Sequence, residues 1–515
     1  MTRSRKFREI DSLSLLAHKI APNVFDLSSN QINVSIRDQM VRGEQLVTDL
    51  KAAHPEAHAI LIVGMGAAGM TAAITACELG FKNVCVVDSA AKPFSLFRGI
   101  KTRYVGPYMY EWPSPFYNDQ SYPAHSSTPW QAGKRPALQW TAPQPISADQ
   151  LARELTTGLR EWHENRKKKK ASRHSRLHLL VSIEKKMVQR FVRDFARTEG
   201  IRARVESAQR PEKVRFSEYA QSSKPWPGLL TPPPPMDFAP DYVILAAGMG
   251  VETLHIPGVY NKDMSPGFWA ADGLKEPGVA QQATVVVGGG DGAIQDSLRA
   301  LTPYHHPLEF IADLERTPEA RAALALQVPM LLSADRQLRQ HTSWSRVHSG
   351  FMMVDQACRT AAADLASEPN IKQFVLSTLH VGRGIVSHYV RGAHFDKAYL
   401  LNRFVIYLIA ACVAARGVRN GDRMGFSLRF GVEVRTARPI GPVGKEETKW
   451  RIALGPSGAP FKTYKRCYTV DRVVVRFGIH PDSVPGPTLI QFSKRYAGHR
   501  TTLNRVELPF ITMRE

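Results

Sequence analysis

The stretch "ILIVGMGAAGMTAAITACELGFKNVCVVDSA", Ile60 to Ala90, decides the fold. An apolar run leads into Gly64-x-Gly66-x-x-Gly69, then an alanine-rich helical pattern, then a second apolar run that ends on Asp88. That order spells strand, tight turn, helix, strand and terminal acid. Gly64 lets the chain turn sharply, Gly66 removes a side chain where a pyrophosphate approaches, and Gly69 lets the helix close on the sheet. Ala67 and Ala68 open the helix, where unsatisfied N–H groups and a dipole of about half a charge favour phosphate. Asp88, with Ser89 beside it, stands nineteen residues after Gly69, where a carboxylate accepts hydrogen bonds from a ribose.

A second stretch, "ATVVVGGGDGAIQDSLRAL", Ala283 to Leu301, repeats the theme. Its spacing is Gly288-x-Gly290-x-x-Ala293, with Asp291 inside the turn, and alanine is tolerated at the third glycine position. "PLEFIAD" then reads as a strand ending at Asp313. An acid there favours a free 2′-hydroxyl and hence NADH, whereas nearby Arg316 would serve a 2′-phosphate, so NADH and NADPH both stay open.

The chain has 515 residues, room for roughly three lobes of about 150 residues. Lys and Arg outnumber Asp and Glu by 68 to 46, for a formal net charge of +22, so dinucleotides, nucleic acid or anionic lipid would be drawn to the surface. The five cysteines form no C-x-x-C pair, which points away from a disulfide framework and toward a reducing cytoplasm. "FVIYLIAACVAA", Phe404 to Ala415, is the most apolar run. It is too short to span a bilayer and reads as a buried core helix, so no transmembrane segment is expected. No zinc, P-loop or serine-nucleophile spacing occurs, and no metal site is expected.

Residues 1–55 read as a helical arm, on the spacing of "SIRDQMVRGEQLVTDLKAA". Residues 56–280 hold the first dinucleotide unit together with a basic and proline-rich insertion that includes "RKKKKASRHSR" and "TPPPPMDFAP". Residues 281–482 hold the second unit, with a largely helical insertion over about 318–415 and strands in the last hundred residues, and 483–515 form a closing segment.

The chain resembles two-dinucleotide-binding flavoproteins, in particular the thioredoxin-reductase-like and flavin-monooxygenase-like branches. Besides the two glycine turns, "DYVILAAGMGVETLHIPG" is similar to the family's A-T-G turn followed by I-P-G, with Ala247 in the Thr place and Gly248 after it. "VDRVVVRFGIHPD" is similar to the strand that closes the nicotinamide domain. The resemblance implies an α/β fold of two Rossmann-like domains, an FAD domain with an NAD(P) domain inserted, plus the helical insertion. It implies FAD on the first turn, with Arg98 among the binding residues, and NADH or NADPH on the second. The family's redox motif C-A-x-C-D-G corresponds to "FWAADG", Phe268 to Gly273, which has no sulfur; disulfide reduction is excluded. The family's closing A-G-D turn corresponds to "YAGHR", with His499 in the Asp place.

Along "FRGIKTRYVGPYMYEWP", Arg103, Tyr108, Tyr110 and Trp112 are candidate substrate contacts, suited to an aromatic or anionic partner. No residue is compelled to be a catalytic acid or base. His305 and His306 read as a surface turn, and His388 and His394 as helix–loop histidines. The expected activity is FAD-dependent oxidation with NAD(P)H as reductant, with a small-molecule substrate and monooxygenation as one form. The alternative is a nucleotide-sensing or partner-binding protein on a flavoprotein scaffold that no longer turns over. Nucleic acid or an anionic surface is a further partner class, supported by charge alone.

Overall fold

The computed structural model describes residues 15, 18–27, 35–106, 109, 112–113, 138, 144–168, 175–229, 231–276, 278, 281–344, 349–380, 385–395, 398–416, 425–441, 448–459, 466–480 and 483. Two parallel sheets organise them.

The first unit runs β1 (Lys19–Ala21), β2 (Val24–Asp26), α1 (Ile36–Ala53), β3 (Ala59–Val63), α2 (Ala67–Glu78), β4 (Asn83–Val87), β5 (Tyr104–Val105), β6 (Ile146–Ser147), α3 (Ala148–Lys168), β7 (Arg176–Val181), α4 (Lys185–Arg202), β8 (Lys224–Pro225) and β9 (Tyr242–Leu245). Its seven-stranded sheet has the order β1-β2-β9-β3-β4-β7-β8, with β2, β9, β3, β4 and β7 mutually parallel. Successive strand residues point to opposite faces. Ile60 and Ile62 of β3 therefore join Leu46, Met70, Ile74 and Leu151 from α1, α2 and α3. Leu61 and Val63 join Val188, Phe191 and Phe195 of α4 on the other side. A parallel sheet covered on both faces carries apolar runs rather than alternation, which is why "AILIV" and "NVCVV" read as they do. The N-terminal region contributes two strands to this sheet as well as the helix expected from its spacing. Ser147 Oγ accepts the Gln150 N–H at 3.2 Å, which caps α3.

The second unit runs β10 (Thr284–Val287), α5 (Asp291–Leu301), α6 (Pro307–Leu314), α7 (Pro318–Trp344), α8 (Ser349–Ser367), α9 (Pro369–Thr378), β11 (Ile385–Val390), α10 (Leu400–Ala415), β12 (Gly425–Phe430), β13 (Val432–Ile440), β14 (Lys449–Pro456), β15 (Arg466–Val470) and β16 (Arg472–Val475). Its parallel sheet has the order β12-β11-β10-β16, and β13, β14 and β15 form a separate antiparallel meander. The apolar run at Phe404 lies in α10, which is buried almost all round, and among the described residues no helix is long and apolar enough to cross a membrane.

Two expectations change. "PLEFIAD" is helix α6, because Pro307 sits at its start and His306 and Glu309 close a capping box around it. The segment 318–415 is not wholly an insertion, since β11 and α10 belong to the second sheet and its core.

Both units share one plan. Numbered within each unit, the strands β7-β4-β3-β9 and β12-β11-β10-β16 have the order 3-2-1-4. In such sheets ligands bind outside the carboxyl ends of the strands, where the strand order reverses. That point falls between β3 and β9 in the first unit and between β10 and β16 in the second, and each glycine turn lies at one of them.

Candidate functional site

At the first turn, Gly64 has φ +114°, and a Cβ there would lie 2.2 Å from the Ala246 carbonyl oxygen. A Cβ on Gly69 would lie 2.0 Å from the Gly64 oxygen. Both positions exclude side chains for packing reasons. Gly66 differs, because a Cβ on it meets nothing within 4 Å. The space is open where a diphosphate would approach, and α2 starts there with no side-chain cap, so its first N–H groups suit an anion.

Asp88 braces this turn. Its Oδ2 accepts the Met65 N–H at 2.6 Å and its Oδ1 accepts the Ala90 N–H at 2.7 Å. A carboxylate offers about four acceptor positions, which leaves capacity for ribose hydroxyls. Ser89 is exposed beside it. Ala247 and Gly248 leave β9 exposed, with Gly248 at φ +87°. Arg98 spends Nε on the Pro93 carbonyl and Nη2 on Thr156 Oγ1, both at 2.8 Å.

At the second turn, Gly288 has φ +152° and would meet the Arg476 carbonyl oxygen at 2.2 Å if it bore a Cβ. Gly290 precedes α5 without a side-chain cap, and Ala293 is fully buried under the turn. Asp291 accepts the Tyr399 N–H at 2.7 Å and an amide hydrogen from Asn402. Burial outweighs those bonds and pushes its carboxyl up to about 6. His388, on β11, reaches the Gly288 carbonyl with Nε2 at 2.8 Å and Ser297 Oγ with Nδ1 at 3.1 Å. A carbonyl can only accept, so the Nε2 carries the proton. Burial brings this imidazole down to about 4, against the pull of the Gly288 bond, so it stays neutral and pins the turn.

The segment that leaves the first unit after β9 runs beside the segment that follows β16. Thr253 N–H donates to the Gly478 carbonyl at 2.9 Å, and His480 N–H donates to the Val251 carbonyl at 2.8 Å. Met249, Val251 and Phe477 stand exposed on these two segments, a few residues from the backbone atoms that contact Gly64 and Gly288.

The segment Phe268–Gly273 ties the units together. Phe268 lies under the Arg103 guanidinium at 4.3 Å and against Gly292. Trp269 packs edge-on against Phe97 at 5.1 Å. Asp272 joins a buried cluster. Arg103 pairs with Asp296 and, at 2.7 Å, with Asp272. Arg299 bonds Asp272 at 2.8 Å and Asp296 at 2.9 Å, and Arg476 Nε reaches Asp296 at 2.8 Å. Burial alone would raise Asp296, but Arg103, Arg476 and Arg299 together hold it well below the usual carboxylate range.

Three expected site residues therefore lie elsewhere. Arg103 is 1% exposed with its charge matched inside this cluster, so it has no face left for a substrate. Trp112 is buried against Phe404 at 4.9 Å and belongs to the core. Asp313 sits on α6, where it accepts from the Tyr304 hydroxyl at 2.9 Å and pairs with Arg316; it ends no strand of the second sheet. Tyr108, Tyr110 and the Tyr496–Arg500 segment lie outside the described residues. His306 is fully buried as the cap of α6 rather than on a surface turn, and burial brings it down to about 3.

The strand register locates the true counterpart of Asp88. Gly64 N–H donates to Val87, and Gly288 N–H donates to Tyr389. The residue after Val87 is Asp88; the residue after Tyr389 is Val390, followed by the exposed Arg391. The second unit has no acid at that place. Sequence reasoning missed this place for Arg391 because four helices, α6 to α9, intervene between α5 and β11.

No family model matches the chain, and no curated protein matches it. Among solved structures, a lysine monooxygenase from Nocardia farcinica, described for an unprecedented conformation of its NADPH domain, is similar over 85% of this chain and 84% of its own, with 11% identity and a TM-score of 0.31. A likeness this loose fixes neither fold detail nor function.

Proposed function

We propose that the protein is a flavin-dependent oxidoreductase in which FAD occupies the first glycine turn and NADPH the second. The observation that carries this reading is the repetition of one strand order around two glycine turns. Gly66, Ala67, Ala68 and Asp88 would hold the FAD diphosphate and ribose, and Ala247 and Gly248 would border the ring system. Met249, Val251 and Phe477 are apolar surface that a flat ring would cover. When bound, FAD supplies the redox chemistry by accepting hydride and passing electrons onward. The chain's own part is orientation and the exclusion of dithiol chemistry, since its described cysteines are buried apart from Cys467.

NADPH is favoured over NADH because Val390 stands where an acid would select a free 2′-hydroxyl, and the exposed Arg391 follows it, its guanidinium shared with Glu433 at 3.3 Å. Arg391→Gln should raise KM for NADPH about tenfold and leave NADH nearly unaffected. An equal effect on both cofactors would remove this assignment. A small-molecule monooxygenation is the form of turnover we favour.

The deciding experiment is the absorbance spectrum of the purified protein, supplemented with FAD, before and after anaerobic NADPH. A bound flavin that bleaches supports the proposal. Colourless protein that takes up no FAD refutes it. Nucleotide binding without bleaching would indicate a scaffold that senses nucleotides but no longer turns over.

A further inference from the structure

The seam between the units holds a second cluster that neither glycine turn uses. The Lys275 ammonium donates to the Thr302 carbonyl, and the His380 ring is hydrogen-bonded to the Thr302 backbone as well. His305 feels the charge of Lys275 and is stacked on Tyr104 of the first unit at 4.3 Å. Two basic side chains, from the linker and the end of α9, thus meet at one carbonyl, and a third, from the α5–α6 turn, lies in the same charged neighbourhood, its ring bonded to the Thr102 backbone.

Their surroundings carry excess positive charge. The groups that face them are Arg299 and Asp272 from the buried cluster and Glu309 from α6. The Glu309 carboxylate is already engaged by the N–H groups of His305 and His306, at 2.7 and 3.0 Å. Arg103, Arg299 and Arg476 outnumber Asp272 and Asp296 in the cluster behind. Adding a charged Lys275 and counting Glu309 leaves one positive charge unmatched. The amine answers by losing its proton easily: burial first, then Arg299, pull it down to about 7. Burial and Lys275 likewise lower His380 and His305.

An anion would supply the missing charge. An ammonium has three donors and a protonated imidazole two, so after serving Thr302 they keep two and one free for a ligand. His380 is exposed and Lys275 and His305 are half-buried, so the corner opens to solvent. We propose that the Thr302 corner is a binding site for a small oxyanion, of the phosphate or carboxylate class, gripped by Lys275 and His380 and flanked by His305. Because the ligand favours the charged forms, binding takes up protons and tightens as pH falls. The site stands apart from both glycine turns and does not rest on the flavin reading.

The test is calorimetric titration of the full chain with inorganic phosphate and, separately, with acetate. Saturable binding is expected, with the stronger of the two naming the class. Lys275→Met should weaken it about tenfold or more, while Gly66→Val, which blocks the first turn, should leave it unchanged. Acetate, which stays ionised throughout, should bind more tightly at pH 6 than at pH 8. His380→Leu, at an exposed ring, carries the same test if Lys275→Met fails to fold. The absence of saturable binding, equal affinity in wild type and either corner variant, or loss in Gly66→Val alone would overturn the proposal.

Discussion

Gly66 and Gly69 stand three residues apart yet serve different ends, and substitution separates them. Gly69→Ala forces a methyl against the Gly64 carbonyl and should cost about 1–3 kcal/mol of stability, read by urea unfolding. Gly66→Val has open space around it, so it should fold with an unchanged midpoint and lose dinucleotide affinity more than tenfold. Histidines set the acid side of the stability curve. His306 and His388 titrate near 3 and 4 in the folded chain, below the ordinary 6.5. The unfolded chain therefore binds more protons, and stability falls as pH drops from 6.5 toward 4, by about 1.4 kcal/mol per unit for each group. Asp291, raised from 3.8 to about 6, works in the opposite sense between those values and cancels one of the two. His306→Asn keeps a capping side chain and should remove most of the remaining slope, measured by unfolding between pH 4.5 and 6.5.

Elements were legible where their signals are local. Both glycine turns, α1 and the core helix α10 stand where spacing and apolar runs place them. "PLEFIAD" misleads because its apolar pattern is short, and the capping pair of His306 just before it and Glu309 within it decides for helix. β11 is concealed because "IVSHYV" carries a serine and a histidine in a buried strand, and the histidine is there to hold Gly288. The crowd of cations and aromatics after Asp88 reads as a substrate surface. Its key member, Arg103, finds its partner 193 residues away, and no local pattern announces a match at that range. The one available hint was Asp296 with Arg299, a paired i,i+3 charge on the helix that follows the second turn. Breaking the match is expensive, since Asp296→Ala leaves three guanidiniums buried with a single carboxylate. It should destabilise by about 3–5 kcal/mol, and urea midpoints of wild type and variant will show it.

At the scale of the whole molecule, two copies of one strand plan face a common seam. The seam is filled by ion pairs and rings where the resembling family places its sulfur pair. Phe268 and Asp272 occupy the positions of that motif and spend their side chains on the joint itself. The joint should therefore resist opening. Amide hydrogen exchange at Ala270, whose N–H is held by the Gly267 carbonyl at 3.1 Å, is expected to be slow, and exchange as fast as in the exposed Ala247–Gly250 would contradict a rigid joint. The adjacent segments after β9 and β16 carry one more implication. Because Glu252 bridges Ile479, the second unit begins and ends at neighbouring points, like a cassette held by adjacent pins. Every strand of the first sheet lies before Ala246, so removing the second unit would leave that sheet's strands complete, and the liberated piece would have its own two ends close enough to be joined into a ring.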